Sequence, residues 1–165
     1  MADPNLPAFQ TLSCVLTGFP AARVAPTLDP IGLSAQFLAW VTEQVGQPLM
    51  DQLLQKFNAI QPPTEQAVQQ QIMADPTLGP LARRIIRLWY LGIWYFEEPP
   101  SPDSTPQNPN GVVVSANAYT GGLAWDAIQA HPMGYSEMHY GYWSTGPALP
   151  LPAPQFPPQP QNPGA

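Results

Sequence analysis

The chain is short of positive charge. Its 165 residues include five cations, Arg23, Lys56, Arg83, Arg84 and Arg87, against 11 acids, for a formal net charge of −6. No cation follows Arg87. A nucleic-acid binder needs a basic footprint to displace counterions from phosphates, so that class is excluded. An anionic membrane surface is disfavoured for the same reason. Cysteine is nearly absent: Cys14 stands alone, which forbids an internal disulfide, and no Cys/His zinc pattern exists. The two histidines are His131 and His139. Glu137 lies between them, and the trio offers at most a weak metal or acid–base constellation, read here as loop residues. The longest apolar stretch, Leu88 to Phe96, is far below the roughly 20 residues of a membrane span. Met1-Ala2-Asp3-Pro4 has neither a basic nor an apolar leader region, so the start reads as a mature or cytoplasmic form.

Recognisable catalytic patterns are missing too. There is no G-x-G-x-x-G, no phosphate loop and no G-x-S-x-G elbow. Ser13, Ser34 and Ser136 have no His/Asp support in the local pattern. Cys14 falls beside the buried stripe of an amphipathic helix and reads as a small semi-buried residue. Glu97-Glu98, just before Pro99-Pro100, reads as an exposed loop.

Proline and apolar residues are plentiful. The chain has 24 prolines and 44% apolar residues with only 10% charged, which excludes a disordered polyelectrolyte. Most prolines before residue 100 punctuate helices. Phe9, Leu12, Leu16 and Phe19 lie on one helix face, stopped by Gly18 and Pro20. Asp29-Pro30 is a start signal for a second stripe, Leu33, Phe37, Val41 and Val45, with Trp40 beside it. Gly46 and Pro48 end it. Leu49, Leu53, Phe57 and Ile60 form a third stripe, closed by Pro62-Pro63. Thr64 caps a fourth helix, Glu65 to Met73, with Val68 and Ile72 inward.

A fifth helix runs from about Gly79 to Trp94. Leu81, Ile85, Leu88 and Gly92 form its core stripe, flanked by Ile86, Trp89 and Ile93, and Trp89 is read as core. Its other flank carries Arg83, Arg87, Tyr90 and Trp94. Arginine and aromatic side chains on one face fit a protein interface, and equally fit arginine stems lying over surface aromatics. Glu97 to Gly111, with five prolines in fifteen residues, is a loop. Val112-Val113-Val114 forms a short strand or leads into the next helix. Tyr119 to Gln129 is a short helix with Leu123, Ala127 and Ile128 inward, weakened by Gly121-Gly122.

From Gly134 large aromatics alternate with glycines, as in Tyr140-Gly141-Tyr142-Trp143. Pro147 to Ala165 has eight prolines in nineteen residues and no charged side chain, the composition of a polyproline II or disordered tail. The expected fold is mainly α: a small orthogonal or irregular helical bundle, with a glycine–aromatic segment and an extended Pro-rich C-terminal tail. The helical domain is placed at 5–146 and the tail at 147–165.

Four segments, in order, resemble the small (gamma) subunit of membrane-bound FAD-dependent sugar and polyol dehydrogenases, the sorbitol, fructose and glucose dehydrogenase small-subunit family. Phe9-Gln-Thr-Leu-Ser-Cys-Val-Leu-Thr-Gly18 is similar to the family's F-x-x-L-S-x-x-L-T-G opening. Ile86-Arg-Leu-Trp-Tyr-Leu-Gly-Ile93 is similar to its A-W-Y-L-G-I helix. Val112-Val113-Val114 with Tyr119 to Asp126 matches V-x-Y-x-x-A-L-M-W/F. Gly141-Tyr142-Trp143-Ser-Thr-Gly-Pro147 matches the closing G-x-W-x-x-P. The family often carries a Cys shortly before that closing motif; Tyr135 to Tyr140 has none.

The resemblance implies a chain without redox chemistry of its own. It implies a flavoprotein large subunit that holds FAD and often an iron–sulfur cluster. It also implies a multihaem cytochrome c subunit in some complexes, and a periplasmic, membrane-associated location reached through the complex. The small subunit is expected to bind the large one and to aid its maturation, stability and export, with no cofactor or metal of its own. The candidate partner-binding residues are Arg83, Arg87, Tyr90, Trp94, Tyr119, Trp125, Tyr140, Tyr142, Trp143 and Pro147, with Trp143 as a glycine-flanked anchor. A stand-alone helical adaptor with a polyproline II tail, and a small enzyme using His131, Glu137 and His139, are the alternative readings.

Overall fold

Glycine and proline set the helix limits in the computed structural model, which describes residues 3–100 and 110–132. These residues fall within one compact unit, Met1–Tyr135. The glycine–aromatic segment, the Pro-rich tail and the expected 146/147 boundary lie outside the described residues. Helix α1 spans Leu6–Thr17, with Pro7 in its first turn and Gly18 closing it in the left-handed region, where its N–H returns to Cys14 O. A single turn, α2, covers Ala21–Val24. Helices α3, Leu33–Val45, and α4, Gln47–Asn58, meet at Gly46. Helix α5, Glu65–Val68, continues into a π-turn over Gln69–Met73. Helix α6 runs from Leu78 to Leu91. Two short strands follow, β1 at Ile93–Tyr95 and β2 at Gly111–Val113, and then helices α7, Ala116–Thr120, and α8, Leu123–Ala127.

The stripes read from the sequence meet in one core. Phe9 and Leu12 of α1, Phe37 and Val41 of α3, Leu53 and Phe57 of α4, and Ile85, Leu88 and Trp89 of α6 are all buried. Trp89 sits edge-on to Phe37, with ring centroids 4.8 Å apart, and its Nε1–H donates to the buried Ser13 Oγ at 3.0 Å. That bond settles the polar end of an indole that has no access to water. Thr64 caps α5 as expected, its hydroxyl accepting the Ala67 N–H at 3.2 Å.

Three sequence expectations are corrected. Asp29-Pro30 does not open α3. The Asp29 carboxylate accepts the Ile31 and Gly32 N–H groups, tying its own turn, and the helix starts three residues later behind Gly32. The helix expected over Tyr119 to Gln129 is two, α7 and α8, divided at Gly121-Gly122. A Cβ at Gly122 would stand 2.8 Å from Tyr90 O, so the bare glycine lets the chain touch the end of α6. The division turns Ala127 and Ile128 outward, and only Leu123 of that stripe is buried. Third, α6 stops at Leu91, and Ile93 and Trp94 belong to a strand.

Asp75 fixes the start of α6. Its Oδ1 accepts the Leu78 and Thr77 N–H groups at 3.0 and 2.9 Å, and Lys56 Nζ lies 3.5 Å from its Oδ2. The backbone bonds from Leu78 and Thr77, and then Lys56, hold its carboxyl below the ordinary value of 3.8. A carboxyl depressed in the folded state adds stability above its unfolded pKa and loses it as pH falls through the folded value. Asp75→Asn keeps an acceptor oxygen but removes the charge. Its melting temperature is expected to fall less steeply than wild type between about pH 4 and about pH 2, read by a pH series of thermal melts.

Candidate functional site

The site forms where α6 ends. Gly92 adopts φ 67°, and its N–H returns to Leu88 O at 2.9 Å. This left-handed residue reverses the chain, so β1 runs back beside the helix it has just left. Strands β1 and β2 pair antiparallel, with Ile93 opposite Val113, Trp94 opposite Val112 and Tyr95 opposite Gly111. The ladder extends at both ends through Val114 N–H to Gly92 O at 3.0 Å and Phe96 N–H to Asn110 O at 2.9 Å. Side chains alternate across such a ribbon. Trp94 enters the core with no exposed surface, and Ile93, Tyr95 and Val113 take the other face.

Two arginines hold the ribbon. Arg84 donates from Nε to Tyr95 O at 2.7 Å, and its guanidinium lies 4.1 Å above the Trp94 ring. Burial pushes its pKa below the ordinary guanidinium value, and contact with the ring face partly offsets the lost hydration. One turn later Arg87 forms an ion pair with Glu98, and its guanidinium stands 6.0 Å from the Tyr95 ring. The Glu98 side chain is 8% exposed and that of Arg87 is 31% exposed. The expectation of an exposed Glu97-Glu98 loop therefore holds for Glu97 alone.

The expected partner-binding residues are placed as follows. Arg83, Arg87 and Tyr90 share α6. Trp94 does not share their face, because Gly92 breaks the helical period before it, and it is fully buried. Arg83 reaches Met73 O at 3.5 Å. The Tyr90 hydroxyl donates to Thr17 O at 2.9 Å, and its ring meets Phe19 edge-on. Tyr119 and Trp125 also meet edge-on, at 5.4 Å, and Trp125 Nε1–H donates to Tyr119 O at 2.8 Å. Tyr140, Tyr142, Trp143 and Pro147 lie outside the described residues, as do Glu137 and His139. His131 is exposed.

Every cation is engaged by the chain's own fold. Arg23 pairs with Asp126, Lys56 with Asp75 and Arg87 with Glu98, while Arg84 and Arg83 bond backbone carbonyls. Four exposed apolar side chains stand on or beside the ribbon, Leu91, Phe96, Val112 and Val113, at 36–49% exposed; Leu28, Ile31 and Ile128 are exposed elsewhere. Sequence reasoning missed these four, and it missed Arg84 and Glu98. The signal that could have found them is the Gly92 stop, which turns the apolar run after it into a strand.

A dinucleotide sits at a glycine-rich turn between a parallel strand and a helix, whereas the sheet among the described residues is one antiparallel pair. Among the described residues no three His, Cys, Asp or Glu side chains come together as metal ligands. Cys14 is half-buried and burial pushes its thiol pKa up, the opposite of a reactive thiolate. No helix among the described residues is long and apolar enough to cross a membrane.

This architecture defines a small, mainly helical protein with an apolar ribbon clamped to its surface. The family model described as membrane bound FAD containing D-sorbitol dehydrogenase matches residues 1–147, and the chain belongs to that family. The family places it as a subunit of a membrane-bound FAD-containing sorbitol dehydrogenase complex, alongside an FAD-containing catalytic subunit. A search of curated proteins finds no match.

Proposed function

We propose that this chain is the non-catalytic small subunit of an FAD-dependent sugar or polyol dehydrogenase. It binds the flavoprotein large subunit and aids its maturation, stability and export to the periplasm. FAD, and any iron–sulfur cluster, belong to the large subunit; a chain with one cysteine has too few thiolates to ligate such a cluster. Where a multihaem cytochrome c completes the complex, it takes the electrons from the large subunit, and this chain holds no group in that path. The observation that carries the reading is the contrast at the surface. Each of the five cations has a partner within the chain's own fold, while four apolar side chains stay exposed on or beside one rigid ribbon. An exposed apolar cluster in a chain from a multisubunit family supports a docking role.

Co-expression tests it. The large subunit, produced with and without this chain, is compared for soluble, FAD-loaded protein and for its periplasmic fraction. A partner that binds only the folded form raises the folded population by mass action, so a loss of about tenfold or more is expected when this chain is omitted. Equal yield and equal location overturn the proposal.

A further inference from the structure

We infer that the β1–β2 ribbon is the docking element, and that it seats in an apolar cleft of the FAD-containing catalytic subunit rimmed by basic side chains. The inference rests on the small-subunit reading and names the surface and the chemistry of its partner.

Three features converge on the ribbon. The first is apolar exposure. Val112 and Val113 lie within β2, and Phe96 and Leu91 flank β1. Val113 shares the face of Ile93 and Tyr95, while Val112 and Phe96 border the face of Trp94, so apolar side chains are exposed on both sides of the ribbon, as a cleft requires. Isolated exposed hydrophobic residues are ordinary, but a group on one rigid element marks an interface. The second is rigidity. Trp94 anchors the ribbon in the core, Arg84 bonds the Tyr95 carbonyl, and Arg87 holds Glu98 just beyond the strand. An element fixed before binding loses little conformational entropy when it docks.

The third is charge, and it selects the partner. The chain's cations are engaged internally, and the ribbon's exposed end carries Glu97 next to Phe96. An acidic partner would face this carboxylate with no nearby free cation to offset it. A basic rim would pair with Glu97 while the apolar side chains fill the cleft. A second copy of this chain has the same acidic end and the same internally engaged cations, so it lacks that rim.

The test retains the full chain on immobilised, FAD-loaded large subunit. Val113→Asp and Phe96→Asp are each expected to weaken retention about thirtyfold or more, as for residues central to an interface. Leu28→Asp, at a side chain 87% exposed on the loop before α3, is expected to stay within about twofold of wild type. Thermal melts of the free variants show that each is folded. Hydrogen exchange on the wild-type complex needs no variant, and slower exchange at 93–96 and 111–113 than in the free chain is expected.

Wild type that is not retained overturns the small-subunit reading itself. Retained wild type with unaffected ribbon variants, or protection confined to other segments, overturns the docking surface alone. Ribbon variants that change the mass of the free chain in solution, with retention intact, assign the ribbon to self-association and overturn the proposal as well.

Discussion

Gly92→Ala is expected to lower the melting temperature by about 6–20 °C, the equivalent of about 2–5 kcal/mol. Two costs add. An L side chain in the left-handed region costs roughly 1–2 kcal/mol, and Gly92 has φ 67°. The new Cβ would also press against the Ala118 carbonyl oxygen, and would stand 2.5 Å from its carbon and 2.6 Å from Tyr119 N. Those atoms are backbone, so α7 must move, at the typical overpacking cost of about 1–3 kcal/mol. Gly18→Ala is the control. Gly18 has nearly the same φ, 73°, and nothing within 4 Å of its Cβ position. Its loss should reflect conformation alone, about 1–2 kcal/mol. Equal melting shifts for the two variants would show that the close approach at Ala118 carries no weight.

Arg87→Ala is expected to cost about 2–3 kcal/mol, because it leaves the Glu98 carboxylate, 8% exposed, without its cation. Glu98→Gln is expected to cost less, about 1 kcal/mol, since Arg87 is 31% exposed and can draw on water. The double variant should be more stable than Arg87→Ala alone, since it removes the stranded charge together with its partner. Chemical denaturation of the four chains completes the cycle. A double variant no better than Arg87→Ala would mean that Arg87 acts through its aliphatic stem against Tyr95 and not through its charge.

The helical body was legible because its cues are local. Gly18, Gly46 and Thr64 mark helix limits in the sequence and in the structure. The stripes through Phe9, Phe37, Leu53 and Ile85 are periodic enough to show the core directly. The site was less legible because its cues depend on pairing. Gly92 fits a helical stripe by spacing, and only its left-handed φ, imposed by the turn back into β1, makes it an end. Arg84 stands off the Arg83/Arg87 row, and its acceptor, Tyr95 O, comes within reach only once β1 has folded against α6. Glu98 follows an acid and precedes two prolines, which reads as exposed loop; its burial depends on Arg87 eleven positions earlier. The inward placement expected for Ala127 and Ile128 failed because one continuous helix was assumed across a glycine pair that divides it.

The bond between the Trp89 indole and Ser13 also fixes an order of events during synthesis. Its two ends are 76 positions apart, those of the Tyr90–Thr17 bond 73, and those of the Arg23–Asp126 bond 103. The first helix therefore leaves the ribosome long before the residues that complete its environment. Until α6 is made, α1 lacks one of the helices it packs against, and the seal to Asp126 comes later still. A small helical protein closed by such distant contacts forfeits the speed that local helix pairing gives. Its vulnerable interval is the stretch of translation between α1 and α8, when an apolar stripe is already formed and its cover has yet to be made.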